Sequence, residues 1–495
     1  MWDSCHQSAV VGELIIIGKT IAWTMKQPLD ALFRPESVAL IGASANPAKL
    51  SHIALKNLSK GHFRLYPVNP KETNILGLRC YASVLDIPEP IDLALMSLPA
   101  QATLGPMKEC VRKRVGVVVI TSSGFKESGA EGSRLEEQLV RTKKGTSTRI
   151  LGPNTMGVFV PSIGLDTLFV QTEKSPRPRE GSIAMLSQSG AVLISFLEKA
   201  EASGIGVSAC IGLGNKSDIN ENELVTYLAS DPATKCIVLY LESFSSGQEF
   251  VAIAREASGI KPIVVLKSGR TEAGSRAARS HTGALAASSD SMVDGALRQA
   301  GVIRAYDEEE LVDVAKALAY AGQIPGDRIC IVASAGGFGV IGADYVESRE
   351  HGAGMRMAVL SKSTQDSLRQ VVPSFASVRN PVDLTGGVTD EMYESVLTVL
   401  QSDPGIDGIM MSLELQPPNI TKKLIEVAER RSKAKGARLV IGAFGGNYTE
   451  TMLREFEQRG IPAYPTIWRA IRALHALAER GRLLRRNKTL SEEPR

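Results

Sequence analysis

The residue with the clearest chemical potential is His281, one of only six histidines in 495 residues. It lies within residues 278–290, ARSHTGALAASSD, where its neighbours are small or hydroxylated rather than bulky and apolar. Neutral imidazole is a good nucleophile near neutral pH, because its unperturbed pKa is about 6.5. The segment therefore suits either a nucleophilic histidine, in a loop between a strand and a helix, or an ordinary loop histidine.

A nucleophilic imidazole needs an acceptor that orients its second ring nitrogen, and Glu242 is a candidate for that role. It follows the apolar run at residues 237–241, which predicts a buried strand. A carboxylate in this position would face the ligand crevice at the carboxyl end of a parallel sheet. A helix-capping acid or a salt-bridged surface acid is the alternative interpretation of Glu242.

The segment SQSG at residues 187–190 comes directly before a predicted helix over residues 191–199. Ser189 and Gly190 would then lie at the helix N-terminus, where free N–H groups bind anions. Simple N-capping by the serine explains the same pattern equally well.

A loop early in the chain has the composition of a phosphate-binding turn. Residues 38–46, VALIGASAN, form an apolar strand that ends at Gly42 and continues through Ser44 in small residues. Such a turn lets backbone N–H groups approach phosphate, and Lys49 could add a positive charge. The glycines do not complete the G-x-G-x-x-G pattern, so NAD binding is not favoured. An unliganded strand–helix turn is an equally good interpretation of this loop alone.

A second loop, YPVNPK at residues 66–71, ends the next predicted strand. Ligands of parallel sheets bind at the carboxyl ends of the strands, near the point where the strand order reverses. Residues 97–99 and 121–125 end later strands and would line the same crevice. Together these loops favour a nucleotide-like ligand.

These candidate residues need a scaffold of buried strands with helices between them. Short apolar runs alternate with segments of helical periodicity along the chain, which predicts parallel sheets with helices on both faces. The expected fold class is α/β, a Rossmann-like domain followed by two flavodoxin-like parallel α/β domains. The three expected domains are residues 25–161, 162–325 and 326–480, and a helix that ends at residue 479 closes the third. Residues 1–24 are expected to form an extension outside the fold, and residues 481–495 a frayed, solvated basic tail.

Composition excludes several other classes of protein. The net charge of +4, from 57 basic and 53 acidic side chains, is too small to indicate nucleic-acid binding. The apolar run at residues 14–17 is too short to cross a membrane, which takes about 20 apolar residues. Six cysteines without a C-x-x-C pair and six scattered histidines indicate reduced thiols in a cytoplasmic protein and no metal site.

Nine segments, in order along the chain, resemble those of a known family. They read IGAS, YPVNPK, SSGFKESG, LGPNTMG, SQSGA, YLES, KSGR with SHTGALA, NPVDLTGG and GIPAYPT. This ordered set resembles the acyl-CoA synthetases that form a nucleoside diphosphate, including the α subunit of ADP-forming acetate–CoA ligase. It is more distantly similar to the α subunit of succinyl-CoA synthetase. The resemblance covers nearly all of the chain after the N-terminal extension.

The resemblance implies roles for most of the candidate residues. His281 would carry a phosphoryl group, and Glu242 would hydrogen-bond its ring. Ser189 and Gly190 would cradle the phosphate, and Asn154, in the GPN turn, would lie near the acyl or phosphate site. The CoA-binding loops of the first domain would be those that contain Gly42, Ser44, Lys49, Val68, Asn69, Lys71 and Pro99.

The implied reaction is reversible and has three steps. Acyl-CoA and phosphate exchange to acyl phosphate and CoA, the acyl phosphate phosphorylates His281, and phosphohistidine converts a nucleoside diphosphate to the triphosphate. The family binds ATP or ADP with Mg²⁺ on an ATP-grasp domain, which none of the three expected domains resembles. The resemblance therefore implies an ATP-grasp β subunit in an α2β2 assembly, with a small carboxylic acid as co-substrate. Neither the identity of the acid nor the choice between ADP and GDP follows from it.

Four positions depart from the residues usual in the family. Thr155 and Met156 follow the GPN turn where cysteine and then leucine or proline are usual, and they leave the acyl specificity open. Ser123 replaces alanine, and Ala287 replaces glycine.

Three other functions compete with this interpretation. A CoA transferase or lyase relative would use the same CoA domain but would have no use for a phosphohistidine. A CoA-sensing regulatory subunit would not need His281, Glu242 and the SQSG helix end together. A NAD-dependent dehydrogenase is disfavoured because Asn69 ends the second strand where an acidic residue is expected.

Overall fold

The protein consists of three α/β units in chain order. The computed structural model describes residues 16–17, 20–21, 29–282, 289–350, 352–436 and 438–492; of residues 16–17, 20–21, 279–282 and 487–492 it describes the backbone. Near the N-terminus, β1 (Ile16–Ile17) pairs antiparallel with β2 (Thr20–Ile21). The rest of the expected extension, residues 1–24, lies outside the described residues.

The first unit is a five-stranded, all-parallel sheet in the order β4-β3-β7-β8-β9. Its elements are α1 (Asp30–Phe33), β3 (Ser37–Ile41), α2 (Leu50–Leu58), β4 (Arg64–Val68), the hairpin β5 (Asn74–Ile75) and β6 (Leu78–Arg79), β7 (Leu93–Met96), α3 (Leu104–Lys113), β8 (Val117–Ile120), α4 (Ala130–Lys143) and β9 (Arg149–Leu151). Because the chain goes to one side of β3 for β4 and to the other for β7, the strand order reverses at β3, as expected for a Rossmann-like sheet.

The second unit contains a seven-stranded sheet in the order β11-β10-β13-β12-β14-β15-β16. Its elements are β10 (Val158–Val160), β11 (Leu165–Asp166), β12 (Glu180–Ser187), α5 (Gly190–Ala202), β13 (Val207–Gly212), α6 (Glu221–Ser230), β14 (Cys236–Leu241), α7 (Gly247–Ile260), β15 (Ile263–Lys267), α8 (Glu272–Thr282), α9 (Asp290–Gln299), β16 (Ile303–Ala305) and α10 (Glu308–Tyr320). The strands from β12 to β16 are parallel, whereas β10 runs antiparallel to both of its neighbours.

The strand β10 differs from the sequence prediction, which placed residues up to 161 in the first domain. In the structure β10 pairs with β13, Val158 opposite Ile211, and so belongs to the second sheet. The chain therefore passes from the first sheet to the second within the few residues between Leu151 and Val158.

The third unit is an all-parallel sheet in the order β18-β17-β20-β21-β22, with β19 paired to β17. Its elements are β17 (Arg328–Ala333), α11 (Gly336–Glu347), β18 (Arg356–Met357), α12 (Lys362–Arg369), β19 (Val382–Asp383), α13 (Asp390–Gln401), β20 (Gly408–Leu413), α14 (Lys423–Lys433), β21 (Arg438–Ala443), α15 (Asn447–Gln458), β22 (Ala463–Tyr464) and α16 (Ile467–Glu492). The predicted strands and the predicted α/β fold class are confirmed.

The last helix is longer than predicted. The sequence analysis ended it at Glu479 and treated the basic residues beyond as frayed and solvated, but α16 continues to Glu492. Arg480 and Leu483 are buried, and the guanidinium of Arg480 donates to the carbonyl of Ser258 at the end of α7. The prediction failed because a long arginine side chain can bury its stem and still satisfy its charged end with backbone carbonyls.

Helix contacts are among those that join the units. The ring of Phe33 in α1 stacks on Tyr227 of α6, with centroids 4.3 Å apart, and joins the first unit to the second. The helix α16 packs on α10 of the second unit, where Arg469 donates to both carboxylate oxygens of buried Asp313 at 2.6 and 2.7 Å. Among the helices of the described residues, none combines the length and the apolar character that a membrane crossing requires.

Candidate functional site

The candidate site lies at the carboxyl edge of the second sheet, where four neighbouring parallel strands end. Ser187 at the end of β12 pairs with Gly212 at the end of β13 and with Tyr240 near the end of β14. Lys267 at the end of β15 pairs with Leu241. Because these strands are adjacent and in register, the segments that follow them meet at one edge, as the sequence analysis expected for Ser189 and Glu242.

The helix α5 begins directly at this edge. Ser189 is its N-cap, and its hydroxyl oxygen accepts from the N–H of Val192 at 3.4 Å. The N–H groups of Gly190 and Ala191 precede the first intrahelical bond, so they project from the positive end of the helix dipole. The N-capping interpretation of the SQSG segment is confirmed, and anion binding by the free N–H groups stays a prediction.

Glu242 lies beside this helix end and is 8% exposed. Its backbone N–H donates to Oε1 of Gln188 at 3.0 Å, and Gln188 is the residue directly before the N-cap Ser189. The backbone of Glu242 is therefore bound to the residue directly before the N-cap of α5. A buried carboxylate in this position can accept a hydrogen bond from an imidazole N–H.

Residue His281 belongs to the last turn of α8 by its backbone, and its side chain lies outside the described residues. The sequence analysis expected a loop here, whereas the backbone is helical through Thr282. Ala287 also lies outside the described residues. The role of His281 therefore stays a prediction.

The GPN turn of the first unit contacts the same edge from the other side. Asn154 lies in the left-handed region at φ 58°, and its side-chain amide donates to Oδ1 of Asn215 at 3.4 Å. Asn215 follows β13, is 2% exposed, and donates its N–H to the carbonyl of Pro153 at 2.9 Å. Asparagine tolerates positive φ better than most residues, which suits it to this tight junction.

The two residues after this turn have different surroundings. Thr155 is 2% exposed, and its hydroxyl donates to the carbonyl of Gly212 at 2.6 Å, so it serves the internal packing of the junction. Met156 extends over the start of α5: a Cβ atom on Gly190 would be 3.2 Å from its Cε. Of the two departures from the family, Met156 is the one whose side chain lies at the candidate site.

Asn215 also joins two carboxylates of the first unit. Its Nδ2 donates to Glu127 at 2.7 Å and to Glu136 at 2.8 Å. Burial opposes ionisation of Glu127, but Asn215 and the N–H groups of Gly124 and Phe125 outweigh it and lower its pKa. Burial dominates at Glu136 and raises its pKa.

The expected CoA-binding loops meet at the carboxyl edge of the first sheet. The N–H of Gly42 donates to the carbonyl of Val68, and Nδ2 of Asn69 donates to the carbonyl of Ala43 at 2.7 Å, so the loops after β3 and β4 are bound to each other. Gly42 has φ +89°, and a Cβ there would be 2.8 Å from Leu98 of the loop after β7. A glycine is required at this position because the two loops approach each other so closely.

The remaining residues of this crevice are more accessible. Ser44 accepts from the N–H of Asn46 at 3.2 Å, and Oδ1 of Asn69 accepts from the N–H of Lys71 at 2.9 Å. The residues Lys49, Lys71 and Pro99 are exposed at its rim. The backbone is thus pre-shaped, and two ammonium groups are placed at the rim where they could meet phosphates.

Sequence reasoning missed several residues of the second-sheet edge. Gln188, Asn215 and Lys216 were not selected, although Gln188 lies inside the quoted SQSG segment and the other two follow the apolar strand β13. Lys267, quoted within KSGR, was not assigned a role. The signal available was the placement of polar residues at the ends of buried strands or within four residues after them.

Within the described ranges, no group of three or more histidine, cysteine, aspartate or glutamate side chains converges as a metal site would. Cys80, Cys110, Cys210, Cys236 and Cys330 are free and buried, and burial raises the pKa of each thiol.

Three models of protein families match successive parts of the chain. A CoA binding domain matches residues 36–161, a succinyl-CoA ligase like flavodoxin domain matches 180–318, and a ligase-CoA domain matches 329–483. The three matches follow the three α/β units in order, except that the CoA binding domain match includes β10, which pairs in the second sheet.

Curated relatives and solved structures resemble the chain over most of its length. The α subunit of ADP-forming acetate–CoA ligase I of Pyrococcus furiosus is 37% identical over 463 residues, 91% of this chain and 97% of the relative. The ADP-forming acetate–CoA ligase of Methanocaldococcus jannaschii is 37% identical over 92% of this chain, which spans 64% of that longer relative. The dinucleotide forming acetyl-coenzyme A synthetase 1 of Ca. Korarchaeum cryptofilum, solved with phosphate and ADP, superposes with a TM-score of 0.86 at 32% identity, covering 94% of this chain and 99% of that one.

Proposed function

This chain belongs to the family of the ADP-forming acetate–CoA ligases, and on that premise we propose that it is the α-type subunit of a nucleoside-diphosphate-forming acyl-CoA synthetase. The reaction is the reversible conversion of acyl-CoA, phosphate and ADP to a carboxylic acid, CoA and ATP. The observation that carries the proposal is the junction at which the GPN turn of the CoA-type unit meets the N-terminus of α5 and the buried Glu242.

The first step would take place where the first and second sheets meet. A phosphate oxygen attacks the thioester carbonyl, the C–S bond breaks, and acyl phosphate and the CoA thiolate form. The N–H groups of Gly190 and Ala191, with a helix dipole equivalent to roughly half a positive charge, favour a phosphate at this place. Asn154 and Met156 lie at the same junction and would contact the acyl group.

The second and third steps move the phosphoryl group through His281. Its ring nitrogen attacks the phosphorus of acyl phosphate, and the carboxylate leaves. A terminal oxygen of the nucleoside diphosphate then attacks the phosphohistidine, and the imidazole leaves. Glu242 would accept the N–H of the other ring nitrogen and so hold the ring with its nucleophilic lone pair directed at phosphorus. Positioning and neutralisation of charge dominate the rate of such transfers.

CoA would bind in the first unit, at the crevice between the loops after β3, β4 and β7. The loops at Gly42, Val68 and Asn69 are bound to each other, and a phosphate-bearing chain would lie along them with Ser44 and Pro99 at its edge. Lys49 and Lys71 are exposed at the rim, where their ammonium groups would pair with CoA phosphates.

The nucleotide would be bound by a partner. The three units of this chain are matched by CoA-binding and ligase folds, and the longer single-chain relative has about a third of its length beyond the match. We place ATP or ADP on an ATP-grasp β subunit in an α2β2 assembly. Mg²⁺, bound there with the nucleotide, would neutralise phosphate charge during transfer. Five buried thiols without a disulfide suit a cytoplasmic protein.

The proposal is tested with the purified chain, acetyl-CoA and labelled inorganic phosphate. The expected result is acid-labile, base-stable label on the wild type and none on His281→Asn. Label on both proteins would remove His281 as the carrier. If neither is labelled, with other acyl-CoAs or with an ATP-grasp partner added, the chain is a CoA-binding regulatory subunit instead.

A further inference from the structure

The two-residue turn Glu242–Ser243 has all four of its backbone polar groups bound by side chains. Both N–H groups donate to Oε1 of Gln188, at 3.0 and 3.1 Å. The carbonyl of Glu242 accepts from Nζ of Lys267 at 2.8 Å, and the carbonyl of Ser243 accepts from Nζ of Lys216 at 2.7 Å. The amide of Gln188 also donates to the hydroxyl of Ser243 at 3.2 Å.

The three side chains reach the turn from three different strands. Gln188 follows β12, Lys216 lies four residues after β13, and Lys267 ends β15. The strands β12 and β15 are the two neighbours of β14, and β13 lies on the far side of β12. The turn after β14 is therefore held from both sides. A turn held from three directions has little freedom to tilt, so the direction of the Cα–Cβ bond of Glu242, from which the carboxylate extends, is fixed.

Two of these three groups are costly to place there. The Lys216 side chain is 5% exposed and pairs with Glu221 at 3.1 Å, whose side chain is 0% exposed. Burial lowers the pKa of Lys216 and of Lys267. Burying ammonium groups costs free energy that a turn serving only as a connection would not require, because neutral donors can satisfy carbonyls. What distinguishes this turn is that two such ammonium groups and Gln188 converge on it from three strands, which fixes its position.

We infer that Gln188, Lys216 and Lys267 are positioning residues that hold the Glu242 carboxylate in the direction needed to orient the phosphoryl-accepting imidazole of His281. The inference rests on the proposed function. Gln188 binds the turn that carries Glu242 and also directly precedes Ser189, the N-cap of α5. One side chain thus sets the position of the carboxylate relative to the helix end that binds the phosphoryl group. Partners of this kind typically affect activity by about 10- to 100-fold.

The chain provides a matched control at the other end of β15. Nζ of Lys261, like that of Lys267, donates to two backbone carbonyls, those of Leu228 at 2.7 Å and Asp231. Burial lowers the pKa of Lys261 as it does that of Lys267. Since Lys261 precedes the strand and Lys267 ends it, the two lysines lie at opposite edges of the sheet.

The test is a double-mutant cycle on the rate of labelling by acetyl-CoA and labelled phosphate. In the wild-type background, Lys267→Met and Gln188→Met should each slow labelling about 10- to 100-fold, and Lys261→Met should leave the rate unchanged. In a Glu242→Gln background, the same two substitutions should change the rate by less than about 2-fold, because they act through Glu242. The affinity for acetyl-CoA, measured by calorimetry, should stay constant throughout.

Two outcomes would overturn the inference: equal losses in both backgrounds, or no loss in the wild-type background. Should Lys267→Met fold poorly, Gln188→Met introduces no change of charge and supplies the same comparison. Failure of the proposed function is recognised separately, since His281→Asn would then still accept label.

Discussion

The second and third units place the same construction at their carboxyl edges. In each, a buried strand leads through one polar residue to an N-cap and a glycine that starts a helix: Gln188 before α5 and Ser334 before α11. In each, the side chain of that residue accepts the N–H of a glutamate after the neighbouring strand, Glu242 at 3.0 Å and Glu414 at 2.8 Å. Repetition of the topology alone thus brings a glutamate to a helix N-terminus twice.

The groups around these two glutamates differ. The N-cap Ser189 uses its hydroxyl in the second unit, whereas Ala335 has no side chain to do so in the third. The next strand ends in Lys267 in the second sheet and in Ala443 in the third. A Cβ atom added to Gly336 would be 2.7 Å from a carboxylate oxygen of Asp383, so an acid already faces the start of α11. The fold thus places a glutamate beside a helix N-terminus in both units, but only the second unit adds a lysine, Lys267, that suits an incoming anion.

The largest difference should appear when each glutamate is neutralised. Glu242→Gln should slow labelling by acetyl-CoA and phosphate about 100-fold, because the imidazole loses its anionic acceptor. Glu414→Gln should change that rate less than about 3-fold, since this half-reaction uses the second edge. The rates are compared at equal thermal stability of the variants. Similar losses from both substitutions would show that the two edges share the reaction.

A smaller effect is expected from the glycines that start the helices. The added Cβ of Gly190→Ala would press on Met156 at 3.2 Å and should slow labelling several-fold, up to about 10-fold, by displacing that side chain. Met156→Ala in the same chain should restore the rate.

Gly336→Ala provides the comparison. Its Cβ would meet Asp383, and we expect a loss of about 1 kcal/mol in unfolding free energy with labelling unchanged. Denaturant titration and the labelling rate separate the two results. A failure of Met156→Ala to rescue Gly190→Ala would place the damage in the helix end itself.

The last prediction concerns the pH dependence of stability at the opposite edge of the second sheet. Burial lowers the pKa of Lys261 from 10.5 to about 8. Between these values the unfolded chain binds more protons than the folded one, so this lysine makes stability rise as pH increases from about 8 to about 10. In urea denaturation across this range, the unfolding free energy of the wild type should rise relative to that of Lys261→Met, in which the other titrating groups are unchanged. Parallel curves would contradict the assignment.

Sequence alone predicted the scaffold and part of the site. Buried strands leave strong apolar signals, and the ends of parallel strands must share an edge, so Ser189, Gly190 and Glu242 could be assigned to one crevice. The roles of Gln188, Lys216 and Lys267 could not be assigned, because each acts on a turn that another strand supplies. Their hydrogen bonds depend on the strand order, which apolar periodicity does not reveal.

Two other differences have similar causes. Residues 278–282 are small and polar, which predicted a loop, but arginine and alanine are also good helix formers, and the backbone of α8 continues to Thr282. The basic residues after Glu479 predicted solvent exposure, whereas Arg480 is 4% exposed because the carbonyl of Ser258 receives its guanidinium. In both cases tertiary partners decide the outcome between two local preferences.

The short strand β10 has a consequence for dissecting the molecule. It covers the outer side of β13 through the pairing of Val158 with Ile211 and of Phe159 with Cys210. Only six residues separate it from β9, the last strand of the first sheet. A truncated protein beginning at residue 162 would keep the rest of the second sheet but leave the backbone of β13 without its neighbour. Uncovered edges of this kind recruit strands from other chains. Isolating the second unit in a monodisperse state therefore requires a cut before Val158, not after it.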